Sequence, residues 1–201
     1  LGSEARVKRL TIEATDKSSI NAAAEVVAAQ VERVHLLINT VGVLHNDRLQ
    51  PEKRLTDLQT DNLLESMTVN ALVTPMLAQA FSGLLKHDEA ATLAALSARV
   101  GSIADNSMGG WYSYRASKAA HNMLLKTLAN EWRLSHRNVS VLALHPGTVA
   151  TSLSQPFIRP GYKNPVLEPT ASARALLDVI AGVPAGQSGL FLDWKGQTID
   201  W

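Results

Sequence analysis

The sequence predicts a doubly wound α/β fold, in which a mostly parallel sheet carries helices on both of its faces. Short runs that are almost entirely apolar alternate with longer segments whose apolar residues recur at helical spacing. Uniformly apolar runs are typical of parallel strands that are buried on both sides. A parallel pair needs a crossover connection of a dozen or more residues, and the helical segments are long enough to supply it.

Five strands and four helices are predicted. The first helix is expected after Ser18, a favourable N-cap residue, because Ile20, Ala24, Val27 and Val31 share one helical face. The predicted strands are 7–14, 34–39, 92–97, 138–145 and 189–193. The predicted helices are 19–32, 61–85, 112–135 and 170–181.

Three segments between these elements are predicted to be loops. Residues 40–59 are polar and contain Pro51, and residues 98–111 contain several Gly and Ser. Residues 151–169 carry four prolines, which interrupt regular structure. Because the sequence has no repeat, low-complexity tract or linker, residues 1–201 are interpreted as one domain.

The composition argues against several functional classes. The formal net charge is +1 and no basic run occurs, so nucleic acid is not an expected partner. We expect no membrane segment, which would need about 20 apolar residues, and the N-terminus lacks the apolar core of a signal peptide. The chain has no cysteine, and its six histidines lack metal-ligand spacing, so no metal site is expected. These features favour a cytoplasmic location.

The segment most informative about chemistry is Tyr114-Arg115-Ala116-Ser117-Lys118, a Y-x-x-x-K pair in a predicted helix. A spacing of four places both side chains on one helical face. An ordinary tyrosine has a pKa of about 10, and a neighbouring cation lowers that pKa because it favours the phenolate. A tyrosine tuned in this way can protonate a carbonyl or deprotonate an alcohol. The pair alone is more often an amphipathic surface turn, so the surrounding segments decide between the two interpretations.

Several further features flank this pair in a definite order. Asn39-Thr40-Val41-Gly42 follows a buried strand, Asn70 lies inside a helix, and Ser97 ends the next strand. Pro146-Gly147-Thr148-Val149-Ala150-Thr151 follows the strand after the Tyr helix. Together they resemble the N-N-A-G turn, helix asparagine, serine and P-G-x-V-x-T segment of the short-chain dehydrogenase/reductase family. The run GSIADNSMGGWYSYRASKAA is similar to the C-factor-like and sniffer-like carbonyl reductases of that family.

The resemblance implies a Rossmann-type oxidoreductase that interconverts a carbonyl and an alcohol with NAD or NADP. It implies that Tyr114 is the general acid/base and that Lys118 lowers the pKa of Tyr114 and binds the nicotinamide ribose. Ser97 would bind the substrate carbonyl, and Asn70 would hold a water that relays protons past Lys118.

The resemblance also implies which residues contact the cofactor. Asn39 and the backbone of Thr40, Val41 and Gly42 would shape the adenosine side of the pocket, and Glu13-Ala14 would contact the adenine. Pro146 and Gly147 would lie over the nicotinamide. The Val149 backbone and Thr151 would hold its carboxamide.

The catalytic serine departs from the family pattern. The run is Leu96-Ser97-Ala98-Arg99-Val100-Gly101-Ser102, and alignment on Gly101 places Ala98 at the usual serine position. A hydroxyl there would bind the oxyanion that develops on the substrate. Ser97 is the preferred candidate, since a small bulge at the strand end would present it, and Ser102 is the alternative.

The Gly-rich turn that binds the pyrophosphate in such folds is absent from this sequence. Gly2 is the only glycine before Gly42, and no helix follows it. The chain is expected to begin before the third strand of the family fold, which would leave an unpaired sheet edge. We therefore expect weak binding of the dinucleotide by this chain, and the choice between NAD and NADP is not readable.

Two functions are compatible with these observations. The first is a carbonyl/alcohol oxidoreductase acting on a small molecule, and the intact Tyr114, Lys118 and Asn70 favour it. The second is a scaffold or signalling protein that has lost nucleotide binding, which the absent Gly-rich turn favours. The resemblance further implies a homodimer or homotetramer that pairs helices 61–85 and 112–135.

Overall fold

The computed structural model describes residues 7–201, whose sheet is parallel throughout. In chain order the strands of this sheet are β1 (Leu36–Asn39), β2 (Ala91–Leu96), β3 (Val139–His145) and, after two short strands described below, β6 (Leu190–Asp193). They lie side by side in the order β1-β2-β3-β6, and each pairing is parallel. Four of the five predicted strands and their parallel arrangement are therefore confirmed.

All four predicted helices are present. They are α1 (Lys17–Ala28), a long helix formed by α2 (Thr60–Met67) and α3 (Val73–Leu85), α4 (Tyr112–Ser135) and α5 (Pro169–Gly182). Helices α1, α3 and α4 pack on one face of the sheet, where Phe81, Leu125 and Trp132 belong to a single apolar cluster. Helix α5 covers the other face through Leu176. The predicted doubly wound α/β fold is thus confirmed.

The strands bury both of their faces, as their uniformly apolar sequences predict. Along β3, Val141 and Ala143 face the α3–α4 side, whereas Leu142 and Leu144 face α5. All four side chains are buried. Full burial of a Leu or Val side chain contributes about 1.5–3 kcal/mol, so the two layers fix the register of β3 strongly.

The predicted strand 7–14 is wrong for this structure. Residues 7–13 have no regular structure, and the side chains of Val7, Leu10 and Ile12 are exposed. A strand needs a neighbour for its main-chain groups, and no strand within residues 7–201 lies beside this segment. The outer edge of β1 is likewise unpaired in the described part of the chain, in agreement with the expected free edge.

Two local predictions need correction. Asp16, rather than Ser18, caps α1, because the Asp16 carboxylate accepts the Ser18 N–H at 2.9 Å. The segment 151–169 was predicted to be a loop, but it contains the short strand β5 (Val166–Leu167), which pairs in parallel with β4 (Thr148–Val149). Prolines at positions next to such a short pairing do not prevent it.

The helical run Thr60–Leu85 has two unexpected features. By length and composition it could cross a membrane, contrary to the expectation from the sequence, but here its α3 part packs on the sheet as a core helix. Between α2 and α3 the residues Thr68–Leu72 form a π-turn. Such single wide turns are rare and frequently occur at functional sites, and Asn70 lies at the centre of this one.

Candidate active site

The chemistry-bearing segments meet at one edge of the sheet. Residues 39–42 end β1 and follow it, residues 97–102 follow β2, and residues 146–151 follow β3. All three strands are parallel, so their carboxyl ends lie at the same edge. In open α/β sheets ligands bind in the crevice outside these carboxyl ends. The order of the elements therefore places the predicted site residues together.

Tyr114 and Lys118 lie on the buried face of α4, one turn apart. Tyr114 is 9% exposed and Lys118 is 3% exposed. The Lys118 Nζ lies 5.9 Å from the centroid of the Tyr114 ring and donates a hydrogen bond to the Leu96 carbonyl at 2.9 Å. An ammonium has three N–H donors, and this contact with the end of β2 uses one of them. Because both side chains are buried, the Tyr114–Lys118 pair is not the amphipathic surface turn that the alternative interpretation requires.

Burial shifts the pKa of Tyr114 in the direction opposite to the predicted one. Desolvation raises the pKa of Tyr114 to about 12 and lowers the pKa of Lys118 to about 8. Both shifts have the same cause, because removal from water disfavours each charged form. The expected lowering of the Tyr114 pKa by Lys118 is therefore wrong for the chain alone, in which the ammonium is held at the Leu96 carbonyl.

The Asn70 side chain ties three segments of the site together. Its Oδ1 accepts the Val43 N–H at 2.8 Å, and its Nδ2 donates to the Val43 carbonyl at 2.8 Å and to the Ser117 hydroxyl at 3.0 Å. Ser117 in turn donates to the Tyr114 carbonyl at 2.9 Å. The amide of Asn70 thus joins the loop after β1 to the turn of α4 that separates Tyr114 from Lys118.

Gly42 lies against both of these polar groups. A Cβ at this position would lie 3.3 Å from Asn70 Oδ1 and 3.6 Å from Lys118 Nζ. Beside it, Asn39 is buried, donates to Thr74 Oγ1 at 2.7 Å and accepts the Val41 N–H at 3.0 Å. Asn39, Gly42, Asn70 and Lys118 are therefore brought together by the fold.

The two candidate serines have different partners. The Ser97 hydroxyl donates to Asn122 Oδ1 at 2.6 Å, so its proton is engaged with α4. The Ser102 hydroxyl oxygen accepts the Asp105 N–H at 3.1 Å. The short helical turn Arg99–Gly101, which lies between the two serines, packs closely against Lys118. A Cβ at Gly101 would lie 2.8 Å from the Lys118 Cβ. Glycine is required there for this close approach.

The remaining predicted cofactor residues lie in two separate places. The segment after β3 is held to α5, since the Ser172 hydroxyl donates to the Pro146 carbonyl at 2.8 Å. Thr151 is exposed and follows β4. Glu13 and Ala14 lie in the turn before α1, where the Glu13 carboxylate accepts the Thr15 hydroxyl at 2.8 Å.

Sequence reasoning did not identify an aromatic cluster beside Tyr114. The Trp111 ring lies 6.1 Å from the Tyr114 ring and 4.9 Å from the Phe157 ring, and Phe157 lies 5.7 Å from His45. These side chains come from three different loops, so no local spacing could reveal them. The Gly109-Gly110-Trp111 run, which adopts positive φ at all three residues, was the one local signal.

The fold and this edge define the class: an α/β protein with a buried Tyr–Lys pair at its ligand-binding edge. Comparison with known proteins then identifies the family, since residues 1–160 match the family described as short chain dehydrogenase. The chain belongs to the short-chain dehydrogenase family and is an oxidoreductase.

Two relatives are each about one third identical to this chain in sequence. The 1-hydroxy-2-glutathionyl-2-methyl-3-butene dehydrogenase of Rhodococcus sp. (strain AD45) is 32% identical over 190 residues, which are 94% of this chain and 78% of the relative. C-signal of Myxococcus xanthus is 33% identical over 147 residues, which are 73% of this chain and 83% of the relative.

Solved structures of carbonyl reductases are similar over most of the chain. The NADPH-bound carbonyl reductase from chicken fatty liver has a TM-score of 0.81 and 29% identity, and the match covers 94% of this chain and 75% of that one. Carbonyl reductase Sniffer of D. melanogaster has a TM-score of 0.81 and 25% identity, covering 96% and 77%. The resemblance to C-factor-like and sniffer-like proteins is therefore confirmed.

Proposed function

We propose that the protein reduces a carbonyl to an alcohol, and catalyses the reverse reaction, with NAD or NADP and with Tyr114 as the general acid/base. The observation that carries the proposal is the buried Tyr114–Lys118 pair at the carboxyl edge of the sheet, with Gly42 and Asn70 against Lys118. A structural pair would not need a buried ammonium, because burial of a charge opposes folding. The similarity to an NADPH-bound carbonyl reductase supports the same assignment.

The residues of this edge fit a nicotinamide dinucleotide on its ribose side. Lys118 donates one hydrogen bond, to Leu96, among residues 7–201, so two of its N–H donors are available to ribose hydroxyls. Gly42 leaves open the space in front of Lys118 and Asn70 that a side chain would occupy. When bound, the dinucleotide would supply or accept the hydride. Asn39, the Val149 backbone and Thr151 remain the proposed contacts with its other parts.

Tyr114 would hold the proton that the carbonyl oxygen acquires during reduction. The phenol is protonated at neutral pH, as an acid in reduction must be, but its raised pKa makes it a weak acid, so efficient proton transfer needs a neighbouring cation that stabilises the phenolate. The positive charge of Lys118, which keeps two N–H donors beside the one bound to the Leu96 carbonyl, would stabilise the phenolate that remains after proton transfer. Asn70 would hold the Ser117 turn of α4 in place, in addition to the proposed contact with a relay water.

The aromatic cluster of His45, Trp111 and Phe157 supports a substrate with an apolar or flat body. The Trp111 ring of this cluster lies beside the Tyr114 ring, where a substrate would bind next to the phenol. His45 Nε2 is within hydrogen-bond distance of the Ser152 and Leu153 carbonyls, at 3.2 and 3.1 Å. This contact joins the loop after β1 to the loop after β4. Aromatic rings favour apolar partners and offset stacking.

The proposal is tested with the chain, NADPH or NADH, and a panel of aldehydes and ketones. Loss of the reduced-nicotinamide absorbance that depends on both enzyme and carbonyl supports it. Absence of turnover with every carbonyl, in a chain shown by calorimetry to bind the dinucleotide, would contradict the proposal, and absence of both turnover and dinucleotide binding would favour the scaffold alternative.

Substitution of the two serines is expected to separate their roles. We predict that Ser102→Ala lowers kcat for reduction by about 10²–10³, the loss typical of one oxyanion donor, because the Ser102 hydroxyl has no acceptor for its proton among residues 7–201 and could donate to the substrate oxygen. Ser97→Ala should lower the unfolding midpoint more than kcat, since it removes the buried hydrogen bond to Asn122. Steady-state kinetics and thermal unfolding of both variants measure the two effects. A larger loss of kcat in Ser97→Ala than in Ser102→Ala would instead identify Ser97 as the donor to the substrate oxygen.

A further inference from the structure

A buried chain of hydrogen bonds joins the turn after β1 to helices α3 and α4. Asn39 Nδ2 donates to Thr74 Oγ1 at 2.7 Å, and Thr74 Oγ1 lies 2.8 Å from His121 Nε2. The three residues are 3%, 0% and 1% exposed. Thr74 lies in the first turn of α3 and His121 lies on α4, and neither belongs to the motifs that the sequence singled out. Three distant segments therefore meet in one buried polar contact.

This chain is the second of two similar links between the same helices. The link from Asn70 to Ser117 lies four residues earlier on each helix, and a spacing of four returns to the same helical face. The first link also binds the main chain of Val43, and the second binds the side chain of Asn39. The two links therefore hold the segment that contains Gly42 at both of its ends.

The contacts determine the direction of each hydrogen bond in the second link. The Val41 N–H is a donor, so the Asn39 atom that faces it, at 3.0 Å, is the amide oxygen, and Nδ2 faces Thr74. An amide nitrogen donates and does not accept, so the Thr74 oxygen is the acceptor. Within residues 7–201 His121 Nε2 is the other partner of the Thr74 hydroxyl. His121 Nε2 is therefore the acceptor available for the Thr74 proton.

His121 has to be neutral to accept this proton, because an imidazolium has no acceptor atom. Burial, together with the neighbouring charge of Lys118, lowers the pKa of His121 to about 3, so the ring is neutral. Its Nδ1 is buried without a hydrogen-bond partner among residues 7–201. Apolar residues at both positions could fill the same space without this unpaired nitrogen. What the polar pair adds is an acceptor for Asn39.

The segment that the pair holds carries proposed contacts with the dinucleotide. The Asn39 oxygen binds the Val41 N–H, so the direction of this N–H depends on how the Asn39 amide is turned. Without an acceptor at Thr74 the amide is free to rotate and to release Val41. Gly42 follows directly and faces Lys118, where a Cβ would lie 3.6 Å from Nζ. A turn that is already ordered binds its ligand at a lower entropic cost.

We propose that Thr74 and His121 are positioning residues for cofactor binding: they hold the Asn39 amide, and thereby the turn 39–42, in the conformation that receives the nicotinamide dinucleotide. This inference rests on the proposed function of this edge as a dinucleotide site. Because both residues act through Asn39, their effect is expected on the affinity for the dinucleotide rather than on the rate of the chemical reaction.

The test uses substitutions that separate the hydroxyl group from the space it fills. Thr74→Val keeps the shape of the side chain and removes the hydroxyl, whereas Thr74→Ser keeps the hydroxyl. Ser82→Ala is the matched control, since Ser82 Oγ lies 3.0 Å from His136 Nε2 in another hydroxyl–imidazole contact, at the far ends of α3 and α4. For each variant the unfolding midpoint, the Kd for NADPH by calorimetry, and kcat at saturating NADPH are measured. NMR measures the solvent exchange of the Val41 amide hydrogen without any ligand.

In Thr74→Val we expect the Kd for NADPH to rise about three- to tenfold, the equivalent of one hydrogen bond, with kcat little changed. The Val41 amide hydrogen should exchange faster, and Thr74→Ser should restore both values. Ser82→Ala should lower the unfolding midpoint and leave the Kd and the Val41 exchange unchanged. His121→Leu should change both values in the same direction by a smaller factor, because Thr74 still accepts from Asn39.

An unchanged Kd or an unchanged Val41 exchange in Thr74→Val would overturn the proposal, and so would an equal rise of the Kd in Ser82→Ala. If Thr74→Val does not fold, His121→Leu decides by the same two measurements. Failure of the unchanged chain to bind NADPH would refute the proposed function and, with it, the role in cofactor binding. The Val41 exchange would still show separately whether Thr74 and His121 hold the turn.

Discussion

Replacement of Tyr114 by Phe is expected to remove carbonyl reduction while the fold and the cofactor affinity are kept. Phenylalanine preserves the ring and its edge contact with Trp111, so the packing of α4 should be unchanged. The raised pKa of Tyr114 arises from burial, and within residues 7–201 its hydroxyl has no hydrogen-bond partner, so deletion of the hydroxyl breaks no hydrogen bond there. A well-placed general acid contributes about 10²–10⁴ in rate, and kcat should fall by that factor or more.

Tyr112→Phe is the control for this prediction. It deletes a hydroxyl from the same first turn of α4, at a side chain that is exposed. Steady-state kinetics on a carbonyl substrate and calorimetry with the dinucleotide are measured for both variants. Turnover of Tyr114→Phe within a few fold of the unchanged chain would refute the assignment of Tyr114 as the acid.

Replacement of Lys118 by Met should reduce both turnover and cofactor affinity, yet leave the protein at least as stable at pH 7. The ammonium is the proposed donor to the ribose and the cation that stabilises the phenolate, so both effects arise from one atom. Its burial, however, opposes folding, because methionine fills a similar volume without a desolvated charge. Lys126→Met, on the same helix but bound to the Gly189 carbonyl, is the control and should change neither kcat nor affinity.

The stability difference between Lys118→Met and the unchanged chain should depend on pH. The pKa of Lys118 is about 8 in the folded chain, below its ordinary value of 10.5, so the unfolded state binds more protons between these two values. The unchanged chain therefore gains stability relative to the variant as pH rises from about 8 to about 10. Urea unfolding at pH 7 and pH 9.5 measures this difference. A constant difference, or one that grows with pH, would contradict a buried charged Lys118.

The sequence alone determined the layered architecture and the family. Uniformly apolar runs with helical segments between them allow few arrangements, and four strands were found close to where that pattern places them. Helix α4 was predicted with the bounds that the structure has, since its apolar residues recur over many turns. The Tyr114–Lys118 pair could be recognised because both residues belong to one helix and are four positions apart.

The sequence was insufficient where strand pairing, or contacts between segments distant in the chain, decide the local structure. Residues 7–14 have the composition of a strand, but a strand exists only with a neighbour, and within residues 7–201 none lies beside them. The pKa of Tyr114 was predicted to fall because Lys118 is near in sequence. It rises because the fold buries the phenol.

The contacts of Glu52 are the clearest case of a feature that only the tertiary structure decided. In the sequence it is one acidic residue in a polar loop, 61 positions from Ser113. The loop after β1 carries it to the beginning of α4, where its carboxylate accepts two hydrogen bonds from Ser113 in the turn that holds Tyr114. Local patterns report which residues can be helical or buried. Which side chain binds the beginning of a helix depends on contacts between segments far apart in the chain, and those follow from the packing of the whole fold.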